Sequence, residues 1–272
     1  MRYGTKDVLH GVDFEVRTGE LVALLGPNGA GKSTTIEILE GFRARSGGEV
    51  EVLGTDPAQG DETWRAGLGI VLQSWRDHAK WRVRELLAHL GRYYPDPFDT
   101  DELLELVGLT GQQGQRAGTL SGGQRRRLDV AIGIVGRPRL LFLDEPTAGF
   151  DPQARREFHE LVHRLVDVEN TTVLLTTHDL AEAEKLADRI LILAQGRILA
   201  DGSAVELART VAGKAEIRWT RGGKHFVHTA DEVEDYVREL LAEPGEPVRD
   251  LEVRRTSLED TYMAMVHRTE GS

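Results

Sequence analysis

Cysteine is absent from this 272-residue chain. That removes disulfides, a thiolate metal site and a cysteine nucleophile together, and it fits a reducing compartment. Long apolar runs are missing too. None approaches the ~20 residues needed to cross a bilayer, so no direct membrane span is expected and any membrane role needs a partner chain. Met1 to Asp13 is too polar for a secretory signal. Basic residues are in deficit, 34 Lys and Arg against 45 Asp and Glu, a net charge of −11. Such a balance argues against broad binding to nucleic acid or to an anionic bilayer, though not against a local basic patch. Hydrophobic residues still make up 40% of the chain. That is enough core for one large domain, or for a domain with an appendage.

What is present is organised around Gly26-Pro27-Asn28-Gly29-Ala30-Gly31-Lys32-Ser33-Thr34. The apolar run Leu21 to Leu25 leads in, and a helix from Ser33 to Glu40 is expected to lead out. This is the Gly-x-x-x-x-Gly-Lys-Ser pattern of a phosphate-binding loop. Its glycines let successive backbone N–H groups turn inward, and the helix dipole adds positive potential at the same point. Lys32 would supply a point charge to the β- and γ-phosphates, and Ser33 a hydroxyl ligand for magnesium. The alternative is a glycine-rich turn in an ordinary βα unit; its place between strand and helix argues against that.

Along the rest of the chain, Val12 to Val16 and Glu49 to Leu53 alternate and read as strands. Leu68 to Leu72, Leu140 to Leu143, Thr172 to Thr176 and Ile190 to Leu193 are short runs too apolar to face water, with helical stretches between them. Strands alternating with helices predict an α/β fold with a parallel sheet covered on both faces. Composition shifts near Gly202. Beyond it a hairpin, a helix from Asp231 to Ala242, a strand and a last helix from Leu258 to His267 suggest a small α+β appendage.

Three further stretches carry chemistry. Asp144-Glu145 ends a buried strand, where open α/β sheets bind ligands. Asp144 would hold magnesium and Glu145 would polarise an attacking water. Leu120-Ser121-Gly122-Gly123-Gln124 precedes a helix that Ser121 can cap, which makes a second anion-binding helix start in one chain. His159-Glu160-Leu161-Val162-His163 matches a zincin pattern, but Phe158, Leu161, Val162 and Leu165 give that helix a core face and leave the histidines on its polar side. Arg125-Arg126-Arg127 reads as the exposed first turn of the helix after Gln124 rather than as a nucleic-acid patch.

With these motifs in order, the stretch from Tyr3 to Ala200 resembles the nucleotide-binding subunit of ATP-binding cassette (ABC) transporters. The resemblance implies a P-loop NTPase core of ABC type: a RecA-like parallel sheet, a small antiparallel β subdomain, and a helical subdomain over about 74–135. Together these make an ATP-binding domain over 1–201, with an accessory domain over 202–272. It identifies Gln73 as the Q-loop glutamine reaching magnesium and water, Leu120 to Gln124 as the signature, Ala148-Gly149-Phe150-Asp151 as the D-loop, and His178 as the switch histidine on the γ-phosphate. Ala148 and Phe150 depart from the commonest D-loop residues, while Asp151 is retained. Tyr3 stands where the family's adenine-stacking aromatic stands. Two such domains pack head to tail in the family, so Ser121, Gly122, Gly123 and Gln124 would serve the ATP of a second copy, a homodimer being expected. ATP and Mg2+ are the implied cofactors. The implied partner is a separate transmembrane permease, with Trp75, Trp81 and Arg82 as candidate contacts, and the implied place is cytoplasmic, peripheral on the inner face of the cell membrane. The appendage and the closing Ser257-Leu258-Glu259-Asp260 most resemble exporter ATPases of the daunorubicin-resistance type. A soluble ABC ATPase of repair or translation type is the alternative; the first carries a long coiled-coil insertion and the second a tandem cassette, and neither is present.

Overall fold

The structure, a computed structural model, describes residues 1–3, 6–72, 78–211, 215–230, 233–243, 245–254, 259 and 262. It divides into two units, Met1–Ala200 and Asp201–Ser272.

In the first unit, β3 (Leu21–Leu25) lies at the centre of a six-stranded sheet. It pairs in parallel with β6 (Thr172–Thr177) and β7 (Arg189–Ala194). Beyond β6 come β5 (Leu140–Asp144) and β4 (Leu68–Val71), and β8 (Arg197–Gly202) follows β7 at the other edge. All five residues of β3 and all six of β6 are buried, as strands covered on both faces must be. The register sets Leu25 beside Thr177 and Asp144 beside Thr176. The carboxyl ends of β3, β5 and β6 therefore finish side by side, and the motif residues project from that edge.

Helices α1 (Lys32–Leu39), α6 (Pro152–Asp167) and α7 (Leu180–Leu186) follow β3, β5 and β6 in the chain, the strand–helix alternation expected. Between β4 and β5 lie α3 (Val83–Gly91), α4 (Thr100–Leu106) and α5 (Gly122–Ile134). α3 ends at Gly91, where i→i−3 bonds at Arg92, Tyr93 and Tyr94 tighten the chain ahead of Pro95. A short helix not anticipated from the sequence, α2 (Glu62–Ala66), is capped by the Asp61 side chain.

The strands expected at 12–16 and 49–53 do not form ladders. Val12, Phe14 and Val16 pack half-buried against the core, as do Val50 and Leu53, and Val52–Thr55 is a single antiparallel bridge. The alternation reports which side chains turn inward; it says nothing of a partner for the backbone. β1 (Arg2–Tyr3) and β2 (Lys6–Asp7) form a separate two-stranded antiparallel ladder.

In the second unit β9 (Ala215–Arg221) is flanked by β10 (Lys224–Ala230) and β11 (Arg249–Arg254), both antiparallel to it. Helix α8 (Val233–Ala242) supplies Val233 and Leu240 to a core with Ile217 and Trp219. The last expected helix falls almost wholly outside the described residues.

Glu40, at the end of α1, is 7% exposed. Burial, helped by the charges of Asp144 and Glu37, raises its carboxyl to about 8. A raised acid is protonated in the folded chain and ionised in the unfolded one at neutral pH. Its favourable contribution is thus present below about 4.5 and is lost as pH climbs toward 8. Glu40→Gln should melt higher than the parent at pH 7–8. The gap should widen by up to about 1.4 kcal/mol per pH unit across that window and close at pH 4.5. A gap independent of pH in a set of thermal melts would show that the carboxyl does not titrate with folding.

Candidate active site

β3 delivers the chain into Gly26, where a Cβ would lie 2.2 Å from the Leu193 carbonyl oxygen. At Gly31 φ is +110° and a Cβ would meet Leu9 at 2.5 Å. Both positions need glycine on steric grounds, so the loop follows the backbone path a phosphate cradle requires. Gly31 caps α1 with no side-chain bond, the arrangement in which first-turn N–H groups take an anion. Gly26 and Ala30 are buried, Pro27 is half-buried, and Asn28, Gly29 and Ser33 are exposed. Lys32, 6% exposed, folds back over the loop; its Nζ donates to Gly26 O at 2.7 Å and Pro27 O at 3.4 Å.

The other half of the site comes from β5 and β6. Thr176 Oγ1 donates to Asp144 Oδ1 at 2.5 Å and accepts the Glu145 N–H at 3.0 Å. Glu145 itself sits at φ +42°, strained for a side chain and held by those bonds. Its Oε1 lies 3.5 Å from Lys32 Nζ and 3.3 Å from His178 Nδ1. One carboxylate thus stands between the cation of the loop and the imidazole at the end of β6.

Beneath lies a buried clamp that sequence reasoning missed. Glu182, on α7, accepts from Thr147 Oγ1 at 2.6 Å and Thr177 Oγ1 at 2.5 Å. Burial raises its carboxyl while the two hydroxyl bonds oppose that shift. Thr147 follows Glu145 and Thr177 precedes His178, so the clamp ties together the two arms that present them. Arg155 of α6 reinforces it through Asp179 at 3.0 Å. Thr177→Val should cost about 1–3 kcal/mol, because Glu182 and the Asp179 N–H both lose a partner. A urea midpoint that stays at the parent value would contradict this. The signal in the sequence was the Thr176-Thr177 pair before His178, two polar residues ending a buried strand.

At the start of α5, Ser121 and Gln124 form a reciprocal capping box: Gln124 N–H to Ser121 Oγ at 3.3 Å and Ser121 N–H to Gln124 Oε1 at 3.0 Å. Asp151 caps α6, accepting from the Gln153 and Ala154 N–H groups, both at 2.9 Å. Ser121, Gly122, Gly123, Gln124 and Asp151 line one cleft of about 1160 Å³. Asn28, Gly29, Gly31, Lys32, Ser33 and Thr34 line another of about 600 Å³. The phosphate loop and the signature thus line different clefts. Glu145 lines both clefts.

The expected exposed arginine turn is corrected. Arg126 is 6% exposed and donates to the carbonyls of Pro146, Asp144 and Leu72. Arg125 pairs with Asp129 at 3.2 Å, and Arg127 pairs with Glu157. Among the described residues no group of three or more His, Asp and Glu side chains is placed to hold a metal ion. Tyr3 has its backbone in β1, paired with Lys6. Gln73 and Trp75 lie outside the described residues. Trp81 stacks on His89 at 4.9 Å, and Arg82 starts α3. No helix among the described residues is long and apolar enough to cross a membrane.

Known proteins resemble this chain in sequence and in fold. The sequence profile of the ABC transporter family matches residues 9–148. The daunorubicin resistance ATP-binding protein DrrA2 of Streptomyces coeruleorubidus is 37% identical over the whole of this chain and 94% of its own length. The Nod factor export ATP-binding protein I of Neorhizobium galegae is 40% identical over 78% of this chain and 62% of its own length. A solved ATP-binding subunit of an ABC transporter superposes with a TM-score of 0.67 at 29% identity, covering 76% of this chain and 88% of that one. A dimeric ATP-binding cassette in a post-hydrolysis state with ADP and Pi shares the fold, with a TM-score of 0.65 at 23% identity over 75% of this chain and 94% of that one. The phosphate loop, the Asp144-Glu145 strand end and these likenesses agree: the chain belongs to the ABC transporter family, as an ATP-binding subunit with ATPase activity.

Proposed function

We propose that the chain hydrolyses ATP in a site completed by a second copy, and that it drives export through a separate transmembrane permease. Export is what the names of its relatives say of them. The observation that carries the two-copy part is the pair of anion-binding helix starts held in different clefts that share Glu145. A nucleotide on Gly26–Thr34 of one copy would meet Ser121, Gly122, Gly123, Gln124 and Asp151 of the other. Lys32 replaces its contacts to Gly26 O and Pro27 O with phosphate oxygens. Glu145, beside His178, takes the proton of the attacking water while the imidazole faces the γ-phosphate.

Ser33 and Asp144 offer hydroxyl and carboxylate oxygens. That set suits Mg2+, which takes few protein ligands and completes its shell with phosphate and water. When bound, the ion neutralises phosphate charge; Gln73 is the further ligand proposed for it. Tyr3 would stack on the adenine. In this scheme 1–201 is the ATP-binding domain, with its helical subdomain at about 74–135, and 202–272 is an accessory domain. The chain would lie at the cytoplasmic face of the membrane, with Trp81 and Arg82 beside α3 toward the permease.

The test is mass in solution. With Glu145→Gln and ATP the 30.2 kDa chain should double in mass by light scattering. Adding Ser121→Arg should return it to the monomer while each monomer still binds ATP. If Ser121→Arg instead weakens ATP binding to the monomer, the site belongs to one copy and the proposal fails.

A further inference from the structure

Arg126 sits on α5 little more than a turn beyond Ser121, and its guanidinium reaches the backbone on either side of Glu145. It is 6% exposed and spends its donors on backbone carbonyls alone: Nε to Pro146 O at 2.9 Å, Nη2 to Asp144 O at 3.2 Å, and Nη1 to Leu72 O. Asp144 and Pro146 bracket Glu145, and Leu72 directly precedes Gln73. A guanidinium is a flat, rigid fork, so the three carbonyls it holds are tied to one planar group on α5. The receiving segment is poised to respond, since Glu145 holds φ +42° only because its surroundings impose it.

We infer that Arg126 is a positioning residue linking the two ATP sites of the dimer: engagement of Ser121–Gln124 by nucleotide on one copy sets the carboxylate of Glu145 over the nucleotide of its own copy. This rests on the two-copy site proposed above. It adds a route by which neighbouring occupancy reaches the general base. No bond is made or broken; the coupling is carried by three hydrogen bonds to main-chain oxygen.

The experiment is a double-mutant cycle on the full-length chain with ATP and Mg2+. Arg126→Lys keeps the charge but loses the fork. It should lower kcat about tenfold with KM for ATP within about twofold, and it should still dimerise with ATP in the Glu145→Gln background. Ser121→Ala lowers kcat through the signature. If Arg126 relays what Ser121 senses, the double variant should be at least about fivefold faster than the product of the two single losses predicts. Losses that simply multiply, or an Arg126→Lys enzyme at the parent kcat, would reduce Arg126 to a structural staple and overturn the inference. Should the lysine variant give no cooperative melt, Arg126→Gln, neutral and with a short donor, takes its place in the same cycle. Failure of the Glu145→Gln parent to dimerise with ATP is a separate outcome, and it removes the two-copy site itself.

Discussion

Glu145→Gln should stop turnover while the nucleotide stays bound. Glutamine matches glutamate in shape, so the contacts around the position survive: the Thr176 hydroxyl on the backbone N–H at 3.0 Å, Lys32 Nζ at 3.5 Å, His178 Nδ1 at 3.3 Å. What disappears is basicity. A positioned general base contributes about 10²–10⁴ in rate, and kcat should fall by that much in a phosphate-release assay. Affinity for ATP should hold or improve, because an anion facing the triphosphate has been neutralised. With hydrolysis blocked and binding intact, the dimer should persist instead of dissociating each cycle. Glu145→Asp keeps a carboxylate but shortens its reach, and should fall between the two. Hydrolysis at the parent rate in the glutamine variant would mean that another group removes the proton. His178, 54% exposed at its side chain and within 3.3 Å of Glu145, would be the next candidate.

The contrast between Lys32 and Arg126 shows what the sequence could reveal. Everything that forms the phosphate loop lies within a dozen residues: an apolar strand, glycines at positions no Cβ can occupy, and a helix start. Local pattern and local structure coincide there, so the site was legible in advance. The parallel sheet was legible for a similar reason, since its strands are continuous apolar runs. Arg126 is different. Its partners lie 20, 18 and 54 residues away, and a triplet of arginines in a helix reads as solvated charge until the fold brings carbonyls to one of them. Glu182 and Glu40 are hidden in the same way, as acids that only the tertiary structure buries. The segments at 12–16 and 49–53 fail in the opposite direction. Their alternation is real and their apolar side does turn to the core, but pairing depends on a neighbouring backbone that no local pattern encodes.

Lys32→Ala should abolish ATP binding at concentrations that saturate the parent. The ammonium is nearly fully buried and is already aimed across the loop, 2.7 Å from Gly26 O and 3.4 Å from Pro27 O, so little ordering is needed when phosphate oxygens replace those carbonyls. Each charge-assisted bond of this kind contributes about 1.5–3 kcal/mol. Losing contacts to two phosphates should weaken binding by about 10²–10⁴-fold. Arginine should not rescue it: the wider planar fork does not fit where Nζ is enclosed between the loop carbonyls and Glu145. The nucleotide-free variant should still fold, since Glu145 keeps His178 as a neighbour. The clearest reading is therefore thermal. ATP at about 100 times the parent Kd should stabilise the parent by about 2.7 kcal/mol and the variant by almost nothing. An ATP-induced rise in melting temperature of equal size in both proteins would place the nucleotide elsewhere than on this loop.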